Sequence, residues 1–141
     1  MKKLLVIAMV AVLALSLVAC GGSKIVDGTY RAELSDAAAE AAHGWKDYMV
    51  VTYAGGKITD VDYDSTKDGA LKSEQTAETY PMDPHPSTWL PTLEENIKKA
   101  GTADKIDAVA GATNTSETAK KLMAAIEKAA AEGNTTTVVV D

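Results

Sequence analysis

A chain of 141 residues with 20 acidic and 14 basic side chains carries a formal net charge of −6. That length suits one domain with a single buried core, and the acidic balance argues against nucleic-acid binding and against adhesion to anionic lipid. Cys20 is the lone cysteine, which excludes an intrachain disulfide framework, an iron–sulfur cluster and a CxxC redox pair.

Met1-Lys2-Lys3 precedes an apolar run from Leu4 to Val18, broken only by Ser16. A charged start and an apolar run too short for a comfortable membrane span read as a secretory leader. The run ends Leu17-Val18-Ala19-Cys20, which resembles the lipobox of bacterial lipoprotein signals. Cleavage is then expected after the small Ala19, making 1–19 the signal peptide, with Cys20 lipidated and 20–26 a lipidated tether. The alternative is an uncleaved N-terminal anchor. Either way 27–141 is expected to sit outside the cytoplasm, at the extracytosolic face of the cell membrane. Gly21-Gly22-Ser23 is flexible but short. Loss of Lys2 and Lys3 with the leader deepens the acidic excess, as suits a domain held by acyl chains and otherwise repelled from the bilayer.

Along the domain, Asp27 to Leu34 alternates after Gly28 as a strand. Ser35 to Ala42, rich in alanine, is a short helix or a loop. Asp47 to Ala54 places Met49, Val51 and Tyr53 on one face, Gly55-Gly56 suits a two-residue hairpin turn, and Lys57 to Asp64 returns with Val61 and Tyr63 inward. Ser65 to Pro84 has turn residues and little periodicity, and reads as mostly irregular. Prolines at 81 to 86 forbid a continuous helix there. A helix is expected from Ser87, with Trp89, Leu90, Leu93 and Ile97 as its apolar stripe and Gly101 as its stop. After a second helix, Thr135 to Val140 is strongly β-prone and reads as a terminal strand. The whole predicts an α+β domain, a mainly antiparallel sheet with helices packed on one face.

The segment Asp107-Ala-Val-Ala-Gly-Ala-Thr-Asn-Thr-Ser116 carries the chemistry. It sets Gly111 and three hydroxyls just ahead of a helical stripe of Ala119, Leu122, Met123, Ile126 and Ala130. Asn114 with Glu117 three residues on reads as a capping-box-like start, which leaves Thr113 just outside the helix. A glycine turn at a helix N-terminus is a natural anion site, because free amides and the positive end of the helix dipole meet there. A phosphate between Gly111 and Ser116 is physically cheap, and a threonine beside it offers a hydroxyl for a phosphoester. The plainer alternative is a glycine turn with an ordinary cap.

Asp107 to Thr113 resembles the Asp-x-x-Ser/Thr-Gly-Ala-Thr flavinylation motif of the FMN-binding domain family. That domain occurs in subunits of sodium-pumping NADH:quinone oxidoreductases, in extracytosolic flavoprotein reductases and in small bacterial lipoproteins. The likeness runs from Asp27 to Val140 through Asp27-Gly-Thr-Tyr30, His43-Gly-Trp-Lys-Asp47 and Gly56-Lys-Ile-Thr-Asp-Val61. Ala110 stands where the family usually has Ser or Thr. The resemblance implies an α+β fold, FMN as cofactor, and a flavin transferase that links the FMN phosphate to Thr113, with Thr115 as the second candidate. Gly111 and Ala112 are expected to let the backbone approach the phosphate, Asn114 to share the helix start, and Asp107 to fix the turn or be read by the transferase. Trp45 is the candidate wall for the isoalloxazine ring, with a core tryptophan as the alternative. Met82 is a candidate cover for that ring, or simple packing. Trp89 reads as core. His43 and His85 lack ligand spacing, so no metal site is expected, and no hydrolytic triad or carboxylate pair appears.

The function these features imply is a lipid-anchored, covalently flavinylated electron carrier rather than a complete enzyme. Its partners would be a membrane reductase or quinol oxidase as donor and an extracellular acceptor or partner reductase. Two alternatives stay open: a non-redox surface binding lipoprotein, or a lipoprotein whose leader yields a signalling peptide.

Overall fold

Two adjacent glycines set the central turn. In the computed structural model, which describes residues 24–141, β2 (Lys46–Ala54) and β3 (Lys57–Lys67) join through Gly55 and Gly56. Both glycines have positive φ, 61° and 72°, as a tight hairpin turn between right-twisted strands requires. The Asp27 carboxylate clamps the turn, accepting from the Gly55 amide at 2.8 Å and the Gly56 amide at 2.9 Å. β1 (Gly28–Leu34) pairs antiparallel with β2, so Asp27 arrives at the hairpin by register.

Period-two alternation then builds one apolar face. Tyr30, Ala32 and Leu34 of β1, Met49, Val51 and Tyr53 of β2, and Val61 and Tyr63 of β3 are all buried. Against them pack α2 (Pro86–Ala100), through Trp89, Leu90, Leu93 and Ile97, and α3 (Thr113–Glu132), through Ala119, Leu122, Met123, Ile126 and Ala130. Leu122, Met123 and Ile126 have no exposed surface, and each such side chain contributes roughly 1.5–3 kcal/mol by burial. A short α1 (Asp36–Ala41), capped by Ser35, links β1 to β2. The amide of Val26 donates to the Ala130 carbonyl at 2.9 Å, so the chain enters beside the C-terminal part of α3. The result is a single α+β domain with a sheet ordered β4 (Ala70–Leu71), β3, β2, β1, β5 (Val138–Val140). The leader expected at 1–19, Cys20 and the first tether residues lie outside the described residues.

Three expectations need correction. The stretch after Asp64 is not wholly irregular: β3 continues to Lys67, and β4 (Ala70–Leu71) pairs back on it across Asp68-Gly69. Those turn residues also have positive φ, 52° and 83°, and Asp-Gly is itself a hairpin signal. Asp64 pins the return, accepting from the amides of Ser65 and Ser73 at 2.8 and 3.1 Å and from the Ser73 hydroxyl at 2.5 Å. The last strand, β5, spans only Val138–Val140 and runs parallel to β1. The Asn134 side chain accepts the Thr136 amide at 3.1 Å, which holds the start of the predicted strand in a local turn. Finally, the first long helix begins at Pro86 rather than Ser87, because proline is well suited to the first helical turn.

Candidate functional site

The turn before α3 is built from backbone and one buried serine. Ala112 donates its amide to the Val109 carbonyl at 3.0 Å. The Ser116 hydroxyl accepts the Val109 amide at 3.0 Å and donates to the Ala112 carbonyl at 2.9 Å. Upstream, the Asn96 side chain of α2 donates to the Asp107 carbonyl at 3.2 Å. Gly111 has φ 82°, and a Cβ there would lie 2.5 Å from the Pro84 ring. Only glycine fits beneath that ring.

This arrangement corrects two expectations. Ala112, not Asn114, is the N-cap, and no side chain caps the helix; Thr113 is its first residue rather than a residue outside it. The capping box fails because the Ser116 hydroxyl already ties the loop to the helix one position beyond Thr115. The Asp107 side chain is also not the element that fixes the turn: it is exposed, while Ser116 is fully buried at the hinge. Among the described residues, the first-turn amides of Thr113, Asn114 and Thr115 have no hydrogen-bond acceptor. Such amides at a dipole's positive end favour an anion by about 0.3–1 kcal/mol.

These residues open onto a cleft of about 930 Å³, within the roughly 300–1,000 Å³ typical of cofactor and ligand sites. Gly111, Ala112, Thr113, Asn114 and Thr115 form one side of it, and Trp45, Tyr80 and Met82 line it as well. Every cofactor candidate named from the sequence thus borders a single cavity. Trp45 is half-buried, stands outside the core cluster and meets Tyr80 edge-on, with centroids 5.7 Å apart at 83°. Met82 is partly buried and packs against the core from the same wall. Trp89 is core, as expected, yet it also lines the cleft, and among the described residues its buried indole N–H has no partner. A second hollow, of about 770 Å³, lies near Tyr53 and Lys128 and holds none of the sequence candidates.

Sequence reasoning missed the polar floor of the cleft. Asp47 is 5% exposed, and its carboxylate accepts from the Tyr63 hydroxyl at 2.7 Å and from the Ser65 hydroxyl. Lys72 is 6% exposed, with its ammonium 3.7 Å from Asp47 and 5.1 Å from the centre of the Trp45 ring. Burial pulls the Lys72 ammonium below its ordinary value, while the Asp47 and Asp64 carboxylates pull it back up. Burial, reinforced by Asp47, pushes the Tyr63 hydroxyl well above the usual phenol range, so it stays a proton donor. One signal for Asp47 was available: it shares the inward register of Met49, Val51 and Tyr53, where a carboxylate needs partners. No comparable signal marks Lys72 or Tyr80.

An open-sheet α+β domain whose free helix-start amides and aromatic wall share one cleft fits the class of small cofactor-holding modules. Residues 43–129 match the FMN-binding domain family. The chain is 33% identical over 132 residues to the "15 kDa lipoprotein" of Treponema pallidum (strain Nichols), covering 90% of this chain and 92% of that one. The crystal structure of the CPE2226 protein from Clostridium perfringens superposes with a TM-score of 0.75 at 31% identity, over 83% of this chain and 98% of that one. The chain belongs to the FMN-binding domain family, and its cofactor is FMN.

Proposed function

We propose that the cleft at the mouth of α3 holds FMN, joined through its phosphate to Thr113, and that the protein is a lipid-anchored extracytosolic electron-transfer module. The observation that carries this reading is convergence: the free amides of the Gly111–Thr115 turn and the Trp45–Tyr80 wall border the same cavity. The unpaired indole N–H of Trp89 adds a buried donor that a bound group would satisfy.

In this reading Thr113 offers an exposed hydroxyl on the first residue of the helix. The amides of Thr113, Asn114 and Thr115 solvate the phosphate, and Gly111 and Ser116 hold the turn that aims them. Trp45 and Tyr80 orient the ring system and Met82 covers it. FMN supplies the redox chemistry; the chain supplies binding, orientation and local charge. A covalent link suits a compartment in which a lost flavin is not readily replaced.

The lipoprotein name of the Treponema relative supports the Leu17-Val18-Ala19-Cys20 reading, in which acylated Cys20 tethers the domain to the membrane. The donor is then a membrane reductase or quinol oxidase, and the acceptor an extracellular carrier or a partner reductase.

Coexpression with a flavin transferase tests the central claim. The expected product fluoresces in a denaturing gel and carries its adduct on the Thr113 peptide. Thr113→Val is expected to abolish the adduct while the fold survives, and Thr115→Val to reduce it only partly. A colourless protein, an adduct on Thr115, or one that persists in Thr113→Val would overturn the assignment.

A further inference from the structure

Lys72 is held at both ends. Its amide donates to the Ser65 carbonyl at 2.9 Å, and its ammonium stands 3.7 Å from Asp47, 5.1 Å from the Trp45 ring centre and 6.0 Å from the Tyr80 ring centre. The two Asp47 oxygens already accept hydroxyl hydrogens from Tyr63 and Ser65. At 3.7 Å the Lys72–Asp47 contact is an ion pair without a hydrogen bond. Among the described residues the ammonium makes no protein hydrogen bond, although it has three donors and its side chain is only 7% exposed; the nitrogen itself keeps its access to the cleft. An ion pair present only for folding would be expected to close and to satisfy its donors. This one leaves its cation against the aromatic wall, with Lys72, Trp45, Tyr80 and Asp47 all lining the cleft.

We propose that Lys72, the buried one of the two lysines lining the cleft (Lys121 is the other, exposed), is the cation for the reduced cofactor, and that Asp47 is its opposing, potential-lowering partner. The inference rests on the reading of this cleft as the FMN site. Reduction of a flavin ring by two electrons and one proton leaves one negative charge on it. A fixed ammonium in a partly desolvated cleft favours that charge, and a fixed carboxylate opposes it. The two residues therefore act on the midpoint potential with opposite signs.

The test uses FMN-loaded protein made with a flavin transferase, as wild type, Lys72→Met, Lys72→Arg, Asp47→Asn and the Lys72→Met/Asp47→Asn double variant. Each is titrated with dithionite against a reference dye, and each is checked for FMN content and for cooperative unfolding. Lys72→Met is expected to lower the preference for reduced over oxidised cofactor about tenfold, a fall of about 30 mV for a two-electron couple. Lys72→Arg keeps the wild-type potential, Asp47→Asn raises it, and the double variant returns toward wild type. Should Lys72→Met fail to fold, Asp47→Asn and the double variant still give the sign of each charge. Shifts in the same direction for Lys72→Met and Asp47→Asn would show a packing effect and overturn the proposal. Unchanged potentials in FMN-bearing variants would overturn the charge roles of both Lys72 and Asp47 while leaving the FMN site standing. A wild-type protein that takes up no FMN would sink the functional reading and this inference with it.

Discussion

Gly111→Ala probes the turn on which the site depends. Two costs fall on it. Its φ of 82° lies in the left-handed region, which costs a residue with a Cβ roughly 1–2 kcal/mol. The added Cβ would also meet Pro84 Cδ at 2.5 Å and Cγ at 2.6 Å. A pyrrolidine ring cannot swing aside as a lysine tip would, so relief must come from backbone movement, typically about 1–3 kcal/mol. Together these predict a loss of about 2–5 kcal/mol. With a urea slope of about 2 kcal/mol per molar for a small domain, the unfolding midpoint should fall by about 1–2.5 M, read by tryptophan fluorescence. Gly55→Ala is the control: its φ is 61°, but nothing lies within 4 Å of its added Cβ, so only the backbone cost applies. A Gly111→Ala loss no larger than that of Gly55→Ala would refute the Pro84 argument. The displaced turn should also slow flavinylation, whereas Gly55→Ala, at the central hairpin, should not.

Ser116→Ala removes the hydroxyl that ties Val109 to Ala112 and should cost about 0.5–1.5 kcal/mol by removing the partner of the part-buried Val109 amide; a urea midpoint equal to wild type would count against that role. Trp45→Ala should leave FMN attached but change its absorbance or potential, since an aromatic contact is worth about 0.5–1.5 kcal/mol beyond burial and Trp45 is not core. An unchanged spectrum and potential would assign it to packing alone. The amides of Gly56 and then Gly55 hold the Asp27 carboxyl below its ordinary value. Its contribution is therefore present above the ordinary aspartate range and disappears as pH falls through the lowered folded value. The stability gap between wild type and Asp27→Ala should be constant near neutrality and narrow in acid; a gap that persists through the acid range would contradict this.

What could be read in advance follows from which forces leave a periodic trace. The stripes ending in Ile97 and Ile126, and the inward Met49, Val51 and Tyr53, repeat at the spacing of their elements and proved buried. Gly55-Gly56 was legible because positive φ restricts the residue types allowed. The cofactor candidates Trp45, Met82 and Thr113 were found through local chemistry and family likeness, not periodicity, and the fold brings them to one cavity. Polar pairing leaves no such trace. Lys72 sits in a stretch without rhythm, and its partner Asp47 is distant in sequence but adjacent in the sheet network. Ser116 looked like one more hydroxyl near a helix start, yet its burial makes it the bolt of the turn. The capping box failed for the same reason: a local pattern was outcompeted by a contact across the loop.

The hydrogen bond from Val26 to Ala130 fixes a polarity for the whole domain. From Ala130 back to Thr113 the helix rises about 26 Å, so the chain's entry and the cofactor cleft lie at opposite poles of one rod. With Cys20 lipidated as proposed, the five residues from Cys20 to Ile25 would span at most about 17 Å and hold the domain by the pole opposite the cleft. A domain tethered in that way would work as a lamp post, its light carried at the top and its height set mainly by the shaft. In the proposed electron-transfer role, an acceptor outside the membrane would meet the cleft directly, whereas a donor embedded in the lipid would have to reach upward or wait for the post to lean.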